Sequence, residues 1–123
     1  MTTTSEAGTG APPGPLQGLR VLDLTRMIAG PYATKLMADY GANVIKIEQP
    51  GVGDPSRHIP PFFRDQPDPD GSLHFLYLNT SKRSLTLDLA SERGHQILLD
   101  LAAQADLLVE NFPPATRERL GID

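Results

Sequence analysis

One stretch limits the folds open to this chain more than any other: residues 20–48. Arg20-Val-Leu-Asp-Leu-Thr25 has the branched, apolar character of a buried strand. Gly30-Pro31 opens a helix, with Pro at the first helical position, where its missing N–H is harmless. Ala33, Leu36, Met37 and Tyr40 follow at i, i+3, i+4 and i+7 and predict one apolar stripe. Gly41 ends the helix in the left-handed position past its C-terminus. Asn43-Val-Ile-Lys-Ile-Glu48 is a second strand, with Val44, Ile45 and Ile47 as its apolar content. Strand, short helix and strand make a right-handed βαβ unit, which requires a parallel sheet.

The rest of the chain extends the same pattern. Residues 49–71 are rich in Pro and Gly and read as a long irregular loop, a kind that is usually functional or disordered. Ser72 to Asn79 predicts a short helix packing Leu73, Leu76 and Tyr77. Ser84-Leu-Thr-Leu-Asp-Leu89 alternates as a third strand. Ser91 is an N-cap for a helix running to about Gln104, with Ile97, Leu98, Leu101, Ala102 and Ala105 on its buried face. Asp106-Leu-Leu-Val-Glu110 is a fourth strand, and a last short helix follows Pro113-Pro114. Residues 1–15 are mostly Thr, Gly and Pro and hold too little apolar surface to offset ordering entropy, so they read as a disordered tail before one domain over 16–123. The expected fold is α/β, a Rossmann-like doubly wound, largely parallel sheet.

Composition removes several function classes. Lys+Arg 11 against Asp+Glu 15 gives a net charge of −4, the wrong sign for a general nucleic-acid binder. With Cys 0, there are no disulfides, thiolate metal sites or thiol nucleophiles. No apolar run approaches the roughly 18 residues of a membrane span. No secretory signal opens the chain, so the expectation is a soluble, cytoplasmic protein with no membrane partner. His58, His74 and His95 are too scattered for a local metal site. Neither GxGxxG in the required strand–helix setting nor GxxxxGK[ST] occurs, and GxSxG is absent.

In such sheets ligands sit beyond the carboxyl ends of the strands. Those ends are Thr25 to Gly30, Glu48 to Asp54, Asp88 to Ala90, and Glu110 to Pro113. The Thr25–Pro31 segment enters a helix N-terminus, where free backbone N–H groups can hold an anion or a carbonyl. Lys82 and Arg83, with Arg57 of the long loop, are candidates for phosphate pairing, against a solvated turn as the other reading. Asp23 and Asp39 read as easily structural as catalytic. Chemistry alone yields an α/β ligand-binding domain.

Three blocks carry a resemblance. The first is Leu16-Gln-Gly-Leu-Arg-Val-Leu-Asp-Leu-Thr25 with Ala29-Gly30-Pro31; the second is Ala38-Asp-Tyr-Gly-Ala-Asn-Val-Ile-Lys-Ile-Glu48 through Pro50-Gly51 and Gly53-Asp54 to Arg57. The third comprises Leu78-Asn79, Lys82-Arg83-Ser84, Leu87-Asp88-Leu89, Gly94, Ala105-Asp106 and Glu110-Asn111-Phe112. Together they resemble the N-terminal segment of the family III CoA-transferases, the group of formyl-CoA transferase, carnitine CoA-transferase and the CoA-ester racemases. The resemblance implies the first part of a larger Rossmann-like domain. It also implies reversible transfer of CoA from an acyl-CoA donor to a carboxylic acid, with coenzyme A or its ester as substrate and no prosthetic group.

In the family an aspartate carboxylate attacks the thioester and passes through mixed-anhydride and aspartyl-CoA thioester intermediates. That aspartate lies beyond the matched segment and is none of Asp23, Asp39, Asp54, Asp88 or Asp106, so no catalytic residue is assigned here. The chain thus resembles an N-terminal fragment, of a protein that forms an interlocked homodimer at full length. The racemase branch and a non-catalytic CoA-binding module are the alternative readings. By position, the resemblance assigns CoA contacts to Ile28, Ala29, Leu87, Asp88, Leu89, Ala90, Asn111, Phe112, Pro113 and Arg119. Two positions depart from the family: Gln49 stands where a basic residue is frequent, and Ala115 where Gly closes Asn-Phe-x-Pro-Gly.

Overall fold

The computed structural model describes residues 13–122. The expected tail, 1–15, falls mostly outside them; of its last residues, Gly14 offers its carbonyl to the Gln17 N–H. Four strands, β1 (Arg20–Asp23), β2 (Asn43–Glu48), β3 (Arg83–Thr86) and β4 (Leu107–Val109), alternate with four helices, α1 (Ala29–Asp39), α2 (Leu73–Leu78), α3 (Glu92–Gln104) and α4 (Pro114–Leu120). All strand pairs are parallel and the order is β3-β2-β1-β4. The chain therefore winds outward from β1 in one direction and then returns to its other side. That is the doubly wound α/β arrangement the sequence predicts.

Period-2 alternation divides the core into two layers. Val21 and Val44, paired across the β1–β2 ladder, pack with Ala38 and Ala42 on the α1 face. Leu22, Leu24 and Ile47 point the other way and pack with Leu87, Leu98, Phe112 and Leu120 beneath α3 and α4. The two central strands are covered on both faces, so they read as near-continuous apolar runs. At the edges, β3 and β4 are largely exposed, as are Leu107 and Leu108. Among the described residues no helix is long and apolar enough to cross a membrane.

Two helix faces differ from the sequence expectation. In α1 the stripe Ala33–Leu36–Met37–Tyr40 is not the buried one: Pro31, Thr34 and Ala38 face the sheet, while Tyr32, Leu36 and Tyr40 are exposed. The cause is a buried polar contact, because Thr34 Oγ1 donates to Asp23 Oδ2 at 2.7 Å. In α2, capped by Ser72, Phe75 and Leu78 are buried, whereas Leu73, Leu76 and Tyr77 are exposed. Gly41 does end α1 with φ 106, a conformation open to Gly without steric cost.

Candidate binding cleft

The winding reverses between β1 and β4, and in open α/β sheets ligand crevices form outside such a switch point. An open cleft of ≈ 550 Å³ lies there. Its walls are Thr25 and Arg26 after β1, Ile47 to Gln49 ending β2, Gly53 and Asp54 of the long loop, Leu87 to Ala90 after β3, and Phe112, Arg119 and Leu120 beyond β4.

Buried charge holds the cleft's floor and first wall. Lys46, on β2, lies in the core and donates to the Thr25 carbonyl at 2.9 Å and to Asp54 Oδ2 at 2.9 Å. Asp54 accepts from the Met27 N–H at 3.1 Å and from the Ser56 N–H at 2.9 Å. One ion pair thus ties the β1–α1 turn to the long loop. That turn needs holding, since Met27 sits at φ 70, a strained region for a residue with a side chain. Beside it, Arg57 makes a two-pronged contact with Glu48, 2.7 and 2.8 Å, and lies 3.8 Å from the centre of the Phe75 ring. The long loop is therefore ordered by ion pairing rather than by an apolar core.

A second buried pair stands behind the first. Lys82 donates to Asp23 Oδ2, Asn79 Oδ1 and the Pro31 carbonyl at 2.9, 2.7 and 3.1 Å, so all three ammonium protons are used. Asp23 also accepts from the Thr25 hydroxyl and backbone N–H. Burial pushes the Lys82 ammonium down to about 8, against the raising effect of Asp23. For Asp23 burial acts upward, but Lys82, Lys46 and the Thr25 bond outweigh it and hold the carboxyl below its ordinary range. Asp54 and Glu48 are likewise lowered against burial, by Lys46 and the Ser56 N–H in one case and by Arg57 and the Asp54 N–H in the other.

These contacts correct two expectations. Lys82 and Arg57 are not free phosphate partners, because their donors are occupied by Asp23 and Glu48. The Thr25–Met27 N–H groups are not open to a ligand either: they bond to Asp23, Asn111 and Asp54 side chains. Asp23 is a structural residue. Among the described residues no group of three His, Cys, Asp or Glu is placed to hold a metal ion.

Of the residues assigned from sequence, Leu87, Asp88, Leu89, Ala90, Phe112 and Arg119 converge on the cleft, while Ile28, Ala29, Asn111 and Pro113 lie outside its lining. Ile28 is 52% exposed on the β1–α1 turn and Ala29 begins α1. Asn111 has a supporting part: its side-chain amide accepts from the Arg26 N–H at 3.0 Å and donates to the Arg26 carbonyl at 2.9 Å. Pro113 caps α4, and Ala115 sits in that helix rather than in a positive-φ turn, so the missing Gly is no obstacle. The sequence reading missed Arg26, Glu48, Gln49 and Asp54 as individual wall residues, although each stands at a strand end it marked as rim. Position after a strand was the available signal.

The parallel sheet, its helices on both faces and the cleft at its switch point define a doubly wound α/β protein. The model of CoA-transferase family III matches residues 16–123, and the chain belongs to that family. It is 42% identical to the acetyl-CoA:oxalate CoA-transferase of Acetobacter aceti over 123 residues, 100% of this chain and 30% of that one. It is 47% identical to the formyl-CoA:oxalate CoA-transferase of Escherichia coli over 107 residues, 87% of this chain and 25% of that one. The chain thus spans between a quarter and a third of the length of the curated relatives it matches. Among solved structures, a CaiB/BaiF family protein from Brucella suis superposes with TM-score 0.79 at 37% identity, over 91% of this chain and 29% of that one. A hypothetical protein, Rv3272, from Mycobacterium tuberculosis gives TM-score 0.76 at 43% identity, again over 91% and 29%.

Proposed function

We propose that this chain is the CoA-ester-binding part of an enzyme that moves CoA from an acyl-CoA donor to a carboxylic acid through a covalent aspartyl intermediate. The observation that carries the reading is the convergence of Leu87–Ala90, Phe112 and Arg119 on one cleft at the switch point. Apolar walls suit the pantetheine arm, and arginine suits the phosphates of the CoA nucleotide. The two curated relatives named above are oxalate CoA-transferases, so oxalate is the first acceptor acid to assay. The attacking aspartate belongs to sequence beyond these residues, and the reading extends to a cytoplasmic protein that is an interlocked homodimer at full length.

The test is calorimetric titration of the chain with CoA. Binding is expected, weakened by Arg119→Ala through loss of a charged contact and by Asn111→Ala through a loosened Arg26 turn. Each loss is expected at roughly tenfold or less, the scale of one charged hydrogen bond. Unchanged CoA dissociation constants in both variants overturn the assigned site. No CoA binding at all overturns the reading.

A further inference from the structure

Arg26 lines the cleft in the β1–α1 turn with both its backbone and its side chain restrained. Its backbone is clasped twice by the Asn111 amide, and its guanidinium carbon lies 4.7 Å from the centre of the Phe112 ring. Phe112 is buried in the core, so the ring is a fixed platform. Backbone and head group of this arginine are therefore both held before any ligand arrives. Yet among the described residues no carboxylate pairs with it, and no acceptor takes a bond from its guanidinium. A stacked, unpaired guanidinium facing a cleft has its in-plane donors left for a ligand.

The charges around it set the sign of that ligand. Three carboxylates also line the cleft, and each is already engaged. Glu48 is paired with Arg57, Asp54 with Lys46, and Asp88 accepts the Ala90 N–H at 3.0 Å. Among the described residues the cations of the wall, Arg26 and Arg119, have no such partner. The unsatisfied charge of the cleft is positive, although the chain as a whole carries −4.

We propose that Arg26 is an oxyanion-binding residue of the cleft, pairing with a phosphate of the CoA ester and acting with Arg119, which lines the same cleft. This rests on the CoA-binding reading above and adds to it a residue that neither the sequence assignment nor the family match supplies. Because stacking on Phe112 and the Asn111 clasp order Arg26 in advance, little side-chain entropy remains to be lost when the anion binds. The stacking also distinguishes it from a lysine, which offers charge without a planar fork.

The experiment is calorimetric titration of the chain and its variants with CoA, dephospho-CoA, pantetheine and oxalate. For Arg26→Gln the CoA dissociation constant is expected to rise about tenfold, with pantetheine binding unchanged. Arg26→Lys is expected to fall between. Arg93→Gln, an exposed charge loss on α3, is expected to leave every constant unchanged, and circular dichroism confirms that each variant is folded. A penalty that persists with dephospho-CoA assigns the diphosphate; one that vanishes assigns the 3′-phosphate. Either supports the proposal. Wild-type affinity for CoA in Arg26→Gln overturns it, as does a loss confined to oxalate, which would make the partner a carboxylate. A wild-type chain that binds no CoA instead overturns the underlying reading.

Discussion

Lys46 is a charged residue in the middle of a strand whose neighbours are apolar, and it is 2% exposed. Its ion pair with Asp54 is shut away from solvent on both sides, so removing one partner strands the other. Lys46→Met is expected to lower stability by about 3–5 kcal/mol, read from urea unfolding, because Asp54 is left buried and unpaired. Lys46→Met with Asp54→Asn is expected to recover part of that loss, and a purely additive double variant would show that the two residues do not act as a pair. The carboxylates also set the response to acid. Asp23, Asp54 and Glu48 all titrate lower in the fold than at their ordinary values of 3.8, 3.8 and 4.5, so the unfolded chain takes up protons first as pH falls. The stability they contribute is present above about pH 4.5 and lost as pH falls through their folded values. Urea midpoints should hold from pH 7 to 5 and fall steeply below 4; a flat profile to pH 3 contradicts the network.

At the scale of elements, the sequence specifies the type of each element more closely than the face it buries. All four strands and all four helices form in the segments where apolar runs, caps and Gly41 predict them, although β1 ends at Asp23 instead of Thr25 and β3 at Thr86 instead of Leu89. What periodicity does not contain is which of two apolar stripes turns inward. In α1 the choice falls to Thr34, which leaves water to bond Asp23, and hydrophobic counting scores such a residue as polar. Lys46 escaped notice for the same reason: a buried polar group is decided by a partner distant in sequence. The cleft was legible because strand ends are legible; its ion pairs join residues 8 to 59 positions apart and were not. One close approach joins fold to cleft. A Cβ on Gly94, in the first turn of α3, would lie 1.8 Å from the Asp88 carbonyl oxygen, so the helix can rest on the β3 exit only with Gly there. Gly94→Ala is expected to cost about 1–3 kcal/mol of stability by thermal unfolding, and to weaken CoA binding by displacing Asp88. Full affinity in that variant would detach the β3 exit from the site.

At the scale of the whole molecule, the domain leaves much apolar surface uncovered. Tyr32 and Leu36 on α1, Tyr40 just past it, and Leu73, Leu76 and Tyr77 on α2 are all exposed, and large exposed apolar surface favours association. Sedimentation of the chain is expected to reveal concentration-dependent association, and a strict monomer across a hundredfold range of concentration would argue against it. The chain alone is also expected to show no CoA exchange between acids, since its buried aspartates are committed to Lys46 and Lys82. Detectable exchange with the purified chain would overturn that.

The outer edge of β4 carries a different consequence. Among the described residues no strand pairs with it, and it runs over three residues only, Leu107–Val109, between Asp106 and Glu110. So short a template, gated by a carboxylate at each end, offers too few rungs for another chain to add on and extend indefinitely. Clumping of this protein should therefore proceed through greasy side chains and reverse on dilution. Concentrated samples are expected to scatter light without staining as amyloid.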